Sequence, residues 1–267
     1  MILKDKVAVI TGGARGMGRA VALKFADEGC SSVIVDLRDE PAKKTVEEIK
    51  KKGRDAIYVR CNVADRAAVY SMVKQAINKF KKIDIMVNCA GIARANEAEA
   101  GVSFFDIDDE DWNKPMDVNC KGILYCCQAM GAHMKENRSG SIINVVSIAA
   151  LTPGPGALAY TTSKAAALHV STSVALELAP YRIRVNALLP GMIRTDMTAV
   201  FAGPNVKDLD THMAMLTRNN PLGREGTTED IANVALFLAS DQSSYVTADR
   251  ICVGGGNPYT LMGPPPK

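Results

Sequence analysis

Residues 11–18 read Thr11-Gly12-Gly13-Ala14-Arg15-Gly16-Met17-Gly18, and they connect a short β-branched run to a stretch with helical periodicity. Glycine is favoured where a backbone turns tightly or approaches a ligand without a Cβ in the way. The helix that follows presents free N–H groups and a partial positive charge at its N-terminus, which suit a phosphate. The spacing is Gly-x-x-x-Gly-x-Gly rather than the commoner Gly-x-Gly-x-x-Gly, so a purely structural turn is the alternative.

The second β-branched run ends at Asp36, about twenty residues beyond the glycines. An acid at this position can accept hydrogen bonds from both ribose hydroxyls of an adenosine. The alternative interpretation is that Asp36 is an ordinary solvated loop residue. The turn and the acid together predict dinucleotide binding. The residues expected at the cofactor are Gly12, Arg15, Gly16, Met17, Gly18 and Asp36.

Short β-branched runs alternate with longer helical stretches along the chain. The predicted strands are Val7–Ile10, Ser32–Val35, Ala56–Val59, Ile83–Val87, Ile142–Val146, Ile183–Leu189 and Ile251–Val253. The predicted helices are Met17–Glu28, Pro41–Lys52, Ala67–Lys79, Asp111–Asn137, Ala157–Ala179 and Thr228–Leu238. Right-handed crossovers place helices on both faces of a parallel sheet. The sequence therefore predicts an α/β fold, a doubly wound parallel sheet in a single domain over residues 1–267.

Two long loops, Ile92–Asp109 and Met192–Asn220, follow predicted strands. Ligands of open α/β sheets bind beyond the carboxyl ends of the strands, so we expect a cleft there, with residues 192–220 as a substrate lid. Residues 258–267 include Gly263-Pro-Pro-Pro-Lys267 and are predicted to form an extended tail. Thr228, followed by Asp230, is a candidate cap of the last helix.

The composition of this 267-residue chain, with 47% hydrophobic and 23% charged residues, is that of an average globular protein. Its formal charge of +3 is too small to favour nucleic acid or an anionic membrane as a partner. No membrane span or signal peptide is predicted. The seven scattered cysteines are typical of buried thiols in a reducing compartment. We therefore expect a cytoplasmic protein with no metal site.

The segment Tyr160-Thr-Thr-Ser-Lys164 places a tyrosine and a lysine on one face of a predicted helix. A lysine cation lowers the pKa of a nearby phenol, and moving that pKa from about 10 towards 7 takes roughly 4 kcal/mol. Ser147 directly follows a buried strand shortly before Tyr160 and so can face the same cleft. These residues predict a site of proton transfer.

The Tyr-x-x-x-Lys pattern occurs a second time, at Tyr70 and Lys74, within a charged amphipathic stretch. No serine-bearing strand precedes this copy, so a solvated helix face is the better interpretation. The histidines at positions 133, 169 and 212 have no evident partner in the sequence. Surface or satisfied core positions are predicted for them.

These motifs resemble those of the short-chain dehydrogenase/reductase family, over essentially the whole chain. The matching pieces occur in the order and at the spacing of that family: Thr11-Gly12-x-x-x-Gly16-x-Gly18, Asn88-Cys89-Ala90-Gly91, Val118-Asn119-Cys-Lys-Gly122, Ser147, Tyr160-x-x-x-Lys164 and Pro190-Gly191. The resemblance implies a Rossmann fold with about seven strands. It also implies an assembly, usually a homotetramer, with a homodimer as the alternative.

The resemblance further implies roles for individual residues. Tyr160 is expected to be the catalytic acid/base and to contact the cofactor. Ser147 is expected to hydrogen-bond the substrate oxygen, and Lys164 to bind the nicotinamide ribose and lower the pKa of Tyr160. Asn119 is expected to hold a water molecule of a proton relay, and Asn88 to brace the central strand beside the cofactor. Further cofactor contacts are expected from Asn62, Val63, Ala90, Ile193 and Thr195, the last two at the nicotinamide carboxamide.

Two positions depart from the family pattern. Asn62 stands where the family usually has an acid beside the adenine, and since an amide can still hydrogen-bond the ring, we expect a modest effect on affinity. Cys89 replaces the second asparagine of Asn-Asn-Ala-Gly, and as a small buried residue it is not expected to be reactive. The loop Ile92–Asp109 is several residues longer than is typical.

The leading hypothesis is an oxidoreductase in which a hydride passes between nicotinamide C4 and a secondary-alcohol or ketone carbon, while Tyr160 exchanges the hydroxyl proton. A non-catalytic nucleotide-binding regulator is one alternative, although the complete set Asn119, Ser147, Tyr160 and Lys164 argues against it. A 3-oxoacyl-[acyl-carrier-protein] reductase is another. It would favour NADPH and a basic docking surface, for which the near-neutral charge gives little support.

The expected substrate is a small molecule, a bulky apolar cyclic alcohol such as a hydroxysteroid. The expected pocket walls are mostly apolar, and their methionines adapt to irregular ligands: Ile148–Leu158, Met192, Met197, Phe201, Met213 and Met215. Arg94 is a candidate partner for a substrate carboxylate, with a solvated arginine as the alternative. The expected coenzyme is NAD, because Asp36 would repel the 2′-phosphate of NADP, although Arg15 and Arg38 favour that phosphate.

Overall fold

The computed structural model describes residues 1–95, 103–152, 157–198, 209–218 and 220–256. Its strands are β1 (Val7–Thr11), β2 (Ser31–Asp36), β3 (Ala56–Arg60), β4 (Ile85–Asn88), β5 (Gly140–Val145), β6 (Ile183–Pro190) and β7 (Arg250–Val253). They form one sheet in the order β3-β2-β1-β4-β5-β6-β7, and every neighbouring pair is parallel. The predicted α/β fold with a doubly wound parallel sheet is confirmed.

Helices connect consecutive strands. In the described ranges they are α1 (Gly16–Asp27), α2 (Asp39–Lys51), α3 (Arg66–Phe80), α4 (Asp109–Met116), α5 (Gly122–Asn137), α6 (Leu158–Leu178), α7 (Leu209–Thr217) and α8 (Thr228–Ala239). None of these helices is long and apolar enough to cross a membrane.

The sheet is covered on both faces because successive strand residues point in opposite directions. Val9 and Val33 pack in the core that α3, α5 and α6 complete, whereas Ile10 and Ile34 pack in the core that α1, α2 and α8 complete. All four side chains are fully buried. Two helix layers therefore enclose the sheet, and the loops at the carboxyl ends of the strands are left to build a site.

The predicted helix Asp111–Asn137 is divided in the structure, which corrects the sequence prediction. Helix α4 ends at Met116, a π-helical turn spans Asp117–Lys121, and α5 begins at Gly122. Pro115 lies in the last turn of α4, where its missing N–H and its ring disturb the regular helical hydrogen bonds.

Two further predictions about local structure are corrected. The N-cap of α8 is Thr227, not Thr228, because the Thr227 hydroxyl accepts the N–H of Asp230 while the Asp230 carboxylate accepts the N–H of Thr227. Residues Leu209–Thr217, within the predicted loop 192–220, form helix α7. The predicted tail 258–267 lies outside the described residues.

We expect Gly18→Ala to destabilise the fold by about 3 kcal/mol, because a Cβ at Gly18 would lie only 2.3 Å from the carbonyl oxygen of Gly12, a backbone atom that cannot move aside. Gly53→Ala is the matched control. Gly53 has a φ of 76° but no heavy atom within 4 Å of its built Cβ, so its replacement should cost about 1 kcal/mol. Urea unfolding of both variants measures the difference, and equal losses would contradict the close packing at Gly18.

Candidate active site

The glycine-rich turn lies between β1 and the N-terminus of α1. Gly12 and Gly16 have left-handed backbone angles, with φ of 67° and 53°, which larger residues rarely adopt. The N-cap residue, Arg15, makes no side-chain capping bond, and the first turn of α1 contains no acidic residue. The N–H groups of this turn are therefore disposed to bind an anion such as a nucleotide phosphate.

The carboxylate of Asp36 is fixed beside this turn, at the end of β2. One of its oxygens accepts the N–H of Ala14 at 3.1 Å, and the other accepts those of Leu37 at 2.8 Å and Arg38 at 3.1 Å. The Arg38 guanidinium lies 4.0 Å from the same carboxylate. These bonds hold a negative charge where the sequence predicts the adenosine ribose.

A groove runs past the turn and brings together β1, α1, the end of β2 and the segments after β4 and β6. A Cβ built on Gly16 would lie 3.7 Å from the methyl carbon of Thr195, so the segment after β6 closely faces the turn. The described residues that line the groove are Gly12, Arg15, Gly16, Met17, Gly18, Asp36, Arg38, Cys89, Ala90, Gly91, Thr195, Asp196 and Met197. This arrangement fits a dinucleotide, with bare backbone for the phosphates and a carboxylate for the ribose.

Six predicted cofactor residues are not among the described residues that line the groove: Asn62, Val63, Asn88, Tyr160, Lys164 and Ile193. Asn62 is exposed after β3, and its side-chain oxygen accepts the N–H of Ala64 at 3.1 Å. Val63 is buried in the core, where its side chain fills the space beside Gly122. Cys89, by contrast, lines the groove, and burial raises the pKa of its thiol to about 11, which disfavours the reactive thiolate.

Asn88 braces β4 through a buried polar network that ends on α6. Its amide donates to the side-chain oxygen of Asn144 on β5 at 2.8 Å, and Asn144 donates to the Ser171 hydroxyl at 2.9 Å. Ser171 in turn donates to the carbonyl of Ala167 at 2.7 Å. The strand-bracing role expected of Asn88 agrees with this geometry. The sequence analysis missed Asn144 and Ser171, although a single asparagine inside an apolar strand is a signal that could have found the first.

The predicted proton-transfer residues converge at the carboxyl end of β5. Ser147 follows that strand, accepts the N–H of Ala149 at 3.0 Å and lies near enough to the Tyr160 phenol to lower its pKa. Lys164, one turn further along α6, donates to the carbonyl of Val145 at 3.3 Å, and its Nζ lies 5.8 Å from the centre of the Tyr160 ring. Ser147, Tyr160 and Lys164 are all buried.

Burial dominates the ionisation of the tyrosine and the lysine. It raises the pKa of Tyr160 above its ordinary value, against the opposing effect of the Ser147 hydrogen bond. This direction is opposite to the lowering expected from the sequence. Burial also lowers the pKa of Lys164 from 10.5 to about 8, and the described residues form no salt bridge with it. An apolar environment favours the uncharged form of each group, which explains both directions.

Asn119 lies in the π-helical turn and connects the segment after β4 to α6. Its amide donates to the carbonyl of Ile92 at 2.9 Å and to the Ser163 hydroxyl at 3.0 Å, and its side-chain oxygen accepts the N–H of Ile92 at 2.9 Å. Both side-chain N–H groups are therefore engaged, and a water held by this residue would have to bind one of its oxygens. Ser163, which the sequence analysis missed, also donates to the carbonyl of Tyr160 at 2.7 Å.

A largely apolar cavity of about 360 Å³ lies next to the groove, with Ser147 and Tyr160 in its wall. The expected wall residues Ile148, Met192 and Met197 line it, and Ile193 does so as well. Met213 is buried but is not part of the described lining, and neither is Arg94. Phe201 and the side chain of Met215 lie outside the described residues.

The second Tyr-x-x-x-Lys pair, Tyr70 and Lys74, lies in a different environment from that of Tyr160. Tyr70 is 42% exposed on α3, and its ring contacts the guanidinium of Arg66. His133 accepts the N–H of Ile83 and His169 is exposed, as expected, whereas the side chain of His212 lies outside the described residues. Within the described ranges, no group of three or more His, Cys, Asp or Glu residues could hold a metal ion.

The chain matches a family model described as Enoyl-(Acyl carrier protein) reductase over residues 12–257. The 3-oxoacyl-[acyl-carrier-protein] reductase of Chlamydia pneumoniae is 38% identical over 257 residues, which cover 96% of this chain and 98% of that protein. The crystal structure of levodione reductase has a TM-score of 0.91 at 26% identity and covers 97% of this chain and 100% of that one. The crystal structure of NAD⁺-bound xylitol dehydrogenase has a TM-score of 0.88 at 29% identity and covers 96% of this chain and 100% of that one.

The parallel sheet, the nucleotide groove and these similarities define a Rossmann-fold oxidoreductase that acts on CH–OH groups with NAD(P). The chain belongs to the short-chain dehydrogenase/reductase family, as its motifs predict.

We expect Lys164→Met to raise the free energy of unfolding of the nucleotide-free protein by about 2 kcal/mol at pH 7, because a desolvated cation is removed at the cost of one hydrogen bond. Since the pKa of Lys164 is about 8 when folded against 10.5 as its ordinary value, the unfolded chain binds more protons between these values. The wild type should therefore gain stability as the pH rises above about 8, and the variant should lack that gain.

Urea unfolding of both proteins at several pH values between about 7 and 9.5 measures this difference. A variant that is less stable at pH 7, or that shows the same pH dependence as the wild type, would contradict the desolvation of Lys164.

Proposed function

We propose that the protein interconverts a secondary alcohol and a ketone with NAD, with Tyr160 as the acid/base. The observation that carries the proposal is the position of Ser147 and Tyr160, which together lie in the wall of an apolar cavity that adjoins the nucleotide groove. Cavity and groove share Met17, Thr195 and Met197, so a substrate in the first would lie beside a nucleotide in the second. The roles of individual residues follow from this placement.

NAD⁺, when bound, supplies a hydride acceptor and a positively charged ring. Side chains of the protein carry out the proton transfer. Ser147 positions the substrate oxygen next to the Tyr160 hydroxyl, and the Tyr160 oxygen takes the alcohol proton during oxidation or returns it during reduction. The Lys164 cation, whose Nζ lies 5.8 Å from the centre of the Tyr160 ring, favours the phenolate and so opposes the effect of burial, which keeps the pKa of Tyr160 above its ordinary value in the free protein.

The fixed carboxylate of Asp36 supports NAD over NADP. A 2′-phosphate at the adenosine ribose would face this charge, and at about 5 Å and an effective dielectric constant near 20, each unit of like charge costs roughly 3 kcal/mol. The two arginines of the groove offset this only partly, since Arg38 lies near Asp36 itself and Arg15 pairs with Asp196. The structure of xylitol dehydrogenase is described as NAD⁺-bound, which is compatible with the same choice.

The apolar cavity supports a bulky, apolar, cyclic alcohol such as a hydroxysteroid as substrate. Its polar side chains are hydroxyls: Ser147, Thr152, Tyr160, Thr161, Thr195 and Thr198. No charged residue belongs to the described lining, so a highly polar or charged head group would lack an ionic partner there.

A second candidate is the reduction of a 3-oxoacyl thioester. It is favoured by the 38% identity to the 3-oxoacyl-[acyl-carrier-protein] reductase of Chlamydia pneumoniae. Purified protein assayed against steroids, cyclic alcohols, polyols and hydroxyacyl thioesters separates the candidates. Turnover of thioesters or polyols, with none of steroids or cyclic alcohols, would contradict the apolar-alcohol proposal. The expected homotetramer or homodimer, and the absence of nucleic-acid and membrane partners, stay predictions.

Tyr160→Phe should lower turnover by at least about a hundredfold while folding and nucleotide affinity persist, because only a hydroxyl is lost. Tyr70→Phe is the matched control in the same sequence pattern, and its turnover should equal that of the wild type. Steady-state rates and nucleotide binding of both variants check this. If Tyr70→Phe lost turnover and Tyr160→Phe kept it, the assignment of Tyr160 as the acid/base would be contradicted.

The kcat/KM with NAD should exceed that with NADP by about a hundredfold, in line with the charge of Asp36. Asp36→Ala should narrow the gap, mainly by improving NADP. Steady-state kinetics with both coenzymes measure the ratio, and a value for NADP equal to or above that for NAD would refute the coenzyme preference.

A further inference from the structure

The side chain of Arg15 forms an ion pair with the far wall of the nucleotide groove. Its Nη1 donates to Oδ2 of Asp196 at 2.7 Å, and so connects the N-cap of α1 with the segment after β6, 181 residues away in the chain. Both residues line the groove, together with Asp36 and Arg38. The ion pair therefore lies where a bound nucleotide would pass.

Two arginines and two carboxylates thus share the groove, and their arrangement is specific. Arg38 lies 4.0 Å from the carboxylate of Asp36, which backbone N–H groups hold in place. Arg15 is paired with Asp196 instead. Each cation that a ribose 2′-phosphate could attract already faces a carboxylate.

We propose that Asp196 is a specificity-determining residue that disfavours NADP by holding Arg15. The proposal rests on the proposed use of NAD. For Arg15 to bind a 2′-phosphate, it would have to leave Asp196, whose charge would then lie unpaired in the same groove as the added phosphate. NAD has a hydroxyl at that position, so its binding leaves the ion pair intact.

The size of the effect is limited by exposure. The side chains of Arg15 and Asp196 are 36% and 70% exposed, and ion pairs at such positions are weak and screened by salt. A rough three- to tenfold change in NADP affinity is therefore expected at low ionic strength, and less at high salt. Asp36 remains the larger determinant, because it is buried and rigidly held.

The test measures the Kd of NAD⁺ and of NADP⁺ by calorimetry, without alcohol or ketone and at low salt. Asp196→Asn should tighten NADP⁺ binding roughly three- to tenfold and change NAD⁺ binding by less than about twofold. Adding Arg15→Gln should remove that gain, and Arg15→Gln alone should weaken NADP⁺ binding much less than it does in the Asp196→Asn background.

Glu48→Gln is the matched control, because Glu48 on α2 pairs with Arg19 on α1, the helix that Arg15 precedes, and neither residue lines the groove. It should leave both affinities unchanged. An unchanged NADP⁺ to NAD⁺ ratio in Asp196→Asn, or a gain that persists without Arg15, would overturn the role of Asp196. A wild type that binds NADP⁺ more tightly than NAD⁺ would overturn the proposed coenzyme instead, so the two failures are distinguishable.

Discussion

Backbone-to-backbone contact at the glycine-rich turn is the constraint on which the rest of the structure depends. A Cβ on Gly12 would lie 2.9 Å from the backbone nitrogen of Ala90, and one on Gly18 would lie 2.3 Å from the carbonyl oxygen of Gly12. Thr11 reinforces the contact, since its hydroxyl accepts the N–H groups of Cys89 and Ala90 at 3.1 Å. Helix α1 and the end of β4 are thereby fixed against β1, and the floor of the groove is bare backbone. Such a floor suits a phosphate and leaves no room for a side chain.

Polar side chains beneath the cavity fix the reactive groups in an apolar environment. The Asn88–Asn144–Ser171 network ties β4, β5 and α6 together, and Asn119 with Ser163 holds the π-helical turn against α6. Tyr160 and Lys164 are thus held next to Ser147 while burial favours their uncharged forms, raising the pKa of the tyrosine and lowering that of the lysine. In the free protein, the folded chain therefore holds both groups in an environment that disfavours their charged forms. Such shifted pKa values are typical of functional sites, where ionisation changes when a charged ligand binds.

The order of elements could be predicted from sequence because buried parallel strands are short apolar runs bounded by helical stretches. The groove and the Ser147, Tyr160 and Lys164 set could be predicted because their spacing is local or lies at successive strand ends. Helix α7 and the hydrogen-bond partners of Asn144 and Ser163 could not, since they depend on packing between distant segments, whereas Pro115 is a local signal for the interrupted helix before α5. The raised pKa of Tyr160 in the nucleotide-free protein could not be predicted for the same reason, because burial is a property of the folded chain. The ion pair of Arg15 with Asp196 joins residues that no sequence motif connects.

The central claim is that Tyr160 is a buried phenol that ionises when a cationic nicotinamide lies beside it. Its titration can be followed by the ultraviolet absorbance of phenolate, as the difference between the wild type and Tyr160→Phe, with and without NAD⁺. In the free protein, the difference should titrate above the ordinary pKa of tyrosine, about 10. With NAD⁺ bound, it should move down by at least about two pH units, towards neutrality. A Tyr160 titration that NAD⁺ leaves unchanged would contradict the account.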